Sequence, residues 1–109
     1  MNKIFAISST GQTLKSFLDL RFGKCDNLII FNTDNGEHSF MDNPFKNSDY
    51  SGVQLVKFLK QKGVSIIITG EVGPKVSEIL EKEKLQLVLL HEEKIKIEDI
   101  ISRISAENN

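Results

Sequence analysis

The only thiol of this 109-residue chain sits in a setting that could activate it. Cys25 closes the run Arg21-Phe22-Gly23-Lys24-Cys25, on the approach to the apolar segment Leu28-Ile29-Ile30-Phe31. Arg21 and Lys24 would stabilise a thiolate, the form that coordinates metals and attacks electrophiles. Gly23 has no Cβ and would let backbone N–H groups come close to a bound group. Cys25 also reads as a small hydrophobe at the start of a strand, a common place for a free cysteine.

A second chemical candidate is Gly70-Glu71-Val72-Gly73-Pro74, which joins an expected buried strand to an expected helix. Unsatisfied N–H groups at a helix start, together with the helix dipole, can hold an anion at the carboxyl edge of a sheet. The segment is not a nucleotide fingerprint, because Lys75 and Ser77 lack the spacing of a P-loop and only two of three Rossmann glycines can be matched. Gly70 and Gly73 also suit a tight turn with no ligand. His38, expected on an edge strand, and His91, expected just past a strand end, read as surface histidines.

The elements that must position these residues follow from periodicity. Lys3–Ser8 reads as a strand, and Ser8-Ser9-Thr10-Gly11-Gln12 ends it. Residues 11–25 carry Leu14, Phe17, Leu18 and Leu20 at mixed spacing, which fits either a helical turn or a packed loop. Residues 26–32 and 38–41 read as an antiparallel pair around Asp34-Asn35-Gly36, and Pro44 closes the pairing. Ser51 and Gln54 have capping-box spacing at the start of a helix whose stripe is Leu55, Val56, Phe58 and Leu59 and whose end is Gly63. Val64–Thr69 and Leu85–Leu90 read as strands buried on both faces. Helices are expected from Pro74, with Val76, Ile79 and Leu80 inward, and around Ile97, Ile100, Ile101 and Ile104. The order predicts a single-domain mixed α/β fold over residues 1–109, with a five-stranded sheet and flanking helices.

Composition narrows the function. Apolar residues make up 39% and charged residues 27%, values typical of a folded globular domain. The formal net charge of −1, with both signs interspersed, offers no footprint for a nucleic-acid backbone. One cysteine cannot form an internal disulfide, and Met1-Asn2-Lys3-Ile4-Phe5 opens a β-like run rather than a signal peptide, which predicts a cytoplasmic protein. Apolar runs such as Ile66-Ile67-Ile68 fall far short of the about 20 residues of a membrane span.

Taken in order, Asp19-Leu20-Arg21-Phe22-Gly23-Lys24-Cys25, Asn43-Pro44, Ser51-Gly52, Gly63-Val64 and Gly70-Glu71-Val72-Gly73-Pro74 resemble the dinitrogenase iron–molybdenum cofactor biosynthesis family. The resemblance spans most of the chain and implies a ribonuclease H-like motif fold. It also implies a non-catalytic carrier or scaffold that binds an iron–sulfur or iron–molybdenum type cluster or precursor and exchanges it with a metallocofactor donor or acceptor protein. In such a site Cys25 would be the metal ligand, the turn Arg21, Phe22, Gly23 and Lys24 would neutralise the cluster, and Gly70 and Gly73 would bring N–H groups to its sulfides. Iron–sulfur clusters commonly take about four protein ligands. This chain would therefore need a second subunit, as in a homodimer, a cluster with ligands of its own, or direct ligation by acidic residues.

Two other classes compete. An enzyme built on Cys25 and a histidine would need a Cys-His motif that the sequence lacks. A nuclease would need acidic ligands on the first strand, where Ile4-Phe5-Ala6-Ile7-Ser8 has none. The third class is a regulatory or interaction domain that binds a small anion or a partner protein, with Cys25 structural or redox-sensing.

Overall fold

The computed structural model describes residues 3–92 and 94–107, so Met1 and Asn2 of the expected N-terminal run lie outside the described residues. Two-residue alternation builds the sheet. In β1 (Ile4–Ser9), Phe5 and Ile7 enter one apolar layer and Ala6 the other. In β2 (Asn27–Asn32), Ile29 and Phe31 divide from Leu28 in the same way. In β4 (Ile66–Thr69), Ile66 and Ile68 divide from Ile67. With β3 (His38–Asp42) and β5 (Gln86–Leu89), these strands form one five-stranded sheet in the order β3-β2-β1-β4-β5.

The β1–β2 and β2–β3 pairs are antiparallel, whereas β1–β4 and β4–β5 are parallel. The β2–β3 turn uses the residues the sequence singles out, with Gly36 at φ +73° and its N–H donated to the Asn32 carbonyl at 2.9 Å. Helices make the parallel connections. α1 (Ser51–Gln61) and α2 (Pro74–Lys82) bury Leu55, Val56, Leu59 and Leu80 against the layer of Ala6, Leu28 and Ile67. α3 (Ile97–Glu107) covers the other face with Ile97, Ile100 and Ile104. The expected mixed α/β architecture is the one observed.

Residues 11–25, which the sequence leaves open between a helical turn and a packed loop, form a packed irregular segment held by isolated bridges from Leu18 to Ser9, Phe17 to Lys96 and Arg21 to Glu71. Two local expectations change. Ser51 is not the cap of α1: that place belongs to Tyr50, whose side chain caps nothing, while Gln54 is engaged by the Ser48 hydroxyl. β5 is an edge strand, half-exposed along its length and with Leu89 exposed, because no strand lies beyond it. Leu87 packs on one core layer and Val88 and Leu90 on the other, each only partly buried, so both faces are covered but less fully than the sequence suggests.

Candidate anion-binding cleft

The parallel pairing of β1 with β4 sends the chain out of both strands at the same edge of the sheet. The segment after β1 is locked there by main-chain exchange: Asp19 N–H donates to the Ser8 carbonyl at 2.9 Å, and the Ser8 hydroxyl donates to the Asp19 carbonyl at 2.6 Å. Ser8 Oγ also lies 2.7 Å from Thr69 Oγ1, the last residue of β4. All three residues are buried, so these bonds form away from competing water.

Asp19 then shapes the next turn. Its carboxylate accepts the backbone N–H of Arg21 at 3.0 Å and takes Nε and Nη2 of the Arg21 guanidinium at 3.2 Å each. Arg21 bridges to Glu71 on the neighbouring segment. Gly70 permits this approach: a Cβ there would lie 2.6 Å from the Leu20 α-carbon. Gly23 rests on the start of α1, where a Cβ would lie 2.7 Å from the Gly52 nitrogen. A Cβ on Gly52 would in turn strike Val76 of α2 at 2.4 Å.

Between the two segments lies an open cleft of about 410 Å³. Arg21, Phe22, Gly23 and Lys24 make one wall, and Glu71, Val72, Gly73 and Val76 make the other. Five of the seven residues expected at the site, Arg21, Phe22, Gly23, Lys24 and Gly73, therefore meet around one space. Gly73 has φ −77°, and a Cβ there would meet nothing within 4 Å. Neither its backbone nor its neighbours require glycine. Gly70 does not line the cleft; it packs on Leu20 behind the wall.

Cys25 departs most from expectation. Its side chain is fully buried in the α1/α2 layer with Phe22, Leu28 and Leu55. Burial, followed by the negative charge of Asp19, pushes its thiol up from an ordinary 9.0 to about 12, against smaller opposite effects of Asn43 and Arg21. The expected cationic activation is thus reversed. Lys24 does not serve the sulfur, because its Nζ donates to the Ser48 carbonyl at 2.7 Å. Asn43 Nδ2 donates to the carbonyls of Gly23 and Cys25 at 2.9 and 3.0 Å and lies 3.8 Å from Sγ. In this conformation Cys25 is a buried, protonated core residue, where the sequence suggests an open thiolate.

Neither histidine lines the cleft. His38 and His91 are exposed, His38 with its ring edge-on to Phe40 at 5.9 Å between centroids. Among the described residues no group of three or more His, Cys, Asp or Glu side chains could hold a metal ion. Glu71 and Val72 belong to the segment that the sequence singles out, whereas sequence reasoning placed Val76 on the buried side of its helix and gave no supporting role to Asp19 or Asn43. For Asn43 a signal existed: an Asn before Pro favours a side-chain-closed turn, here made by its Oδ1 accepting from the Phe45 N–H at 3.0 Å.

The fold is that of a small mixed α/β domain, and its cleft is lined by Arg21, Lys24 and Glu71 together with backbone and apolar groups. The chain belongs to the dinitrogenase iron–molybdenum cofactor family, whose model matches residues 1–107. Its structure is similar to that of the apo form of the orange protein from Desulfovibrio gigas, with a TM-score of 0.85 and 20% identity over 96% of this chain and 88% of that one. It is also similar to a candidate NifB protein of the DUF35 family from Thermotoga, solved by NMR, with a TM-score of 0.79 and 26% identity over 95% and 88% of the two chains. Comparison with curated proteins gives no match. Among the described residues, no helix is long and apolar enough to cross a membrane.

Proposed function

We infer that this protein is a non-catalytic cytoplasmic carrier that holds an anionic iron–sulfur or iron–molybdenum type cluster in the cleft between Arg21–Lys24 and Glu71–Val76 and passes it between donor and acceptor proteins. The observation that carries this reading is Gly73: a glycine required by no backbone angle and no neighbour stands on the wall of a cleft. Room for a guest gives that glycine a purpose. Family membership supplies the class of guest.

The cluster is cargo that arrives with its own sulfides, since the described residues offer no set of metal ligands. Arg21 and Lys24 meet its charge, while the start of α2 presents N–H groups and the positive end of its dipole. Val72 and Val76 give apolar contact to a weakly hydrated sulfur surface. Cys25 packs beneath the turn and supports its shape.

Anaerobic reconstitution with ferrous iron and sulfide tests this reading. Wild-type and Cys25→Ser proteins are expected to gain charge-transfer absorption and acid-labile sulfide, and Gly73→Val to gain neither. Wild-type protein that stays colourless, or colour that depends on Cys25 and not on Gly73, would sink the proposal.

A further inference from the structure

We propose that Asp19 is a positioning residue that sets the selectivity of the cleft, by engaging Arg21 so that the site favours sulfur-terminated anions over oxyanions of the same shape and charge. This inference rests on the reading of the cleft as an anion site. Asp19 does not touch the cleft space, and its side chain is 7% exposed. From behind the wall it takes Nε and Nη2 of Arg21 together with the Arg21 N–H. One guanidinium edge is thereby spent, and the direction of the other is fixed.

The charges nearest the guest are then balanced. Arg21 and Lys24 are the cations of the walls, Glu71 is their acid, and Asp19 lies in contact with Arg21. An oxyanion of high charge density must shed a tight water shell and needs uncompensated charge in return. A balanced cleft does not provide it. A larger, softer anion loses less on leaving water and gains dispersion contact from Val72 and Val76. Releasing Arg21 from Asp19 would make the cleft net cationic and remove this discrimination.

Anaerobic calorimetric titration with molybdate and tetrathiomolybdate, two tetrahedral dianions, reads the effect as a ratio of affinities. The wild type is expected to favour tetrathiomolybdate. Asp19→Asn is expected to shrink the ratio by about tenfold, chiefly through tighter molybdate binding, and to change nothing in an Arg21→Gln background. Arg21→Lys keeps the charge but cannot take both Asp19 oxygens; it is expected to shift the ratio in the same direction, and it carries the decision if thermal melting shows Asp19→Asn to be unfolded. A ratio unchanged in folded Asp19→Asn or Arg21→Lys overturns the role of Asp19 alone. A wild type that binds neither anion overturns this inference together with the reading beneath it.

Discussion

Asn43 holds the turn that carries Cys25, donating its amide group to the carbonyls of Gly23 and Cys25 while its nitrogen stays 3.8 Å from the sulfur. Its backbone N–H donates to the Asp26 carbonyl at 3.1 Å, so the residue ties the end of β3 to the turn before β2. The wall containing Gly23 is thus fastened to the hairpin rather than left as a free loop.

The first prediction concerns this fastening. Asn43→Ala leaves the Gly23 and Cys25 carbonyls without their donor, one of them in a buried setting, and is expected to cost about 2–3 kcal/mol in chemical denaturation. Asn43→Asp is expected to be at least as harmful, because a carboxylate has no hydrogen to give to either carbonyl. Wild-type stability in both variants would show that the amide does not hold the turn.

The glycines separate packing from binding. Gly23→Ala would push a Cβ into the α1 backbone, and a loss of about 1–3 kcal/mol is expected. Gly73→Ala meets no neighbour; the lost preference for glycine at a cap and the reduced freedom of the unfolded chain offset, leaving stability within about 1 kcal/mol of wild type. Its effect is expected in retention of the reconstituted cluster, read as slower gain and faster loss of absorption. A Gly73→Ala protein that keeps its cluster as the wild type does would remove the main support for the cleft.

Cys25 makes the stability depend on alkaline pH. Its folded thiol titrates near 12, whereas the unfolded thiol titrates near 9.0. Below pH 9 both states keep the proton and the thiol adds no pH dependence. Between pH 9 and 12 the unfolded chain releases its proton first, so folding stability falls as pH rises, by up to about 1.4 kcal/mol per pH unit. Denaturant titrations from pH 7 to 10.5 should show this fall in the wild type and its absence in Cys25→Ala. An equal slope in both proteins would assign it to other groups.

Burial also governs reactivity. Folded protein at pH 8 is expected to resist iodoacetamide, with modification appearing when denaturant exposes the chain. Rapid alkylation of folded protein, followed by mass spectrometry, would show that the sulfur is open and would return Cys25 to the list of ligands.

Much of the fold is legible in the sequence because its elements carry strong local patterns. Alternation in Phe5-Ala6-Ile7 and the continuous Ile66-Ile67-Ile68 give strands, and Pro74 marks the first residue of α2. The meeting of the Arg21 and Gly70 segments is foreshadowed too, since both follow strands that a helical crossover makes parallel. Burial of Cys25 is not legible: Arg21 and Lys24 adjoin it in sequence, yet Asp19 and the Ser48 carbonyl, remote or of opposite sign, engage both cations. The Ser51 cap fails for a similar reason. Ser51 is buried where its Oγ would lie 2.8 Å from a Cβ on Gly23, and Ser48 reaches Gln54 instead. Long-range packing overrides local chemistry in both places.

Because the two walls leave adjacent strands, joined through Ser8 and Thr69 and again through Arg21 and Glu71, their roots are held at strand spacing, about 4.8 Å between backbones, and the cleft opens beyond those bridges. The opening works as a fixed gauge. Substitutions at Val72 or Val76 would recoat the jaws without moving the strands beneath them, so the sheet fixes the frame of the opening and the side chains on it, or their absence at Gly73, fix its lining.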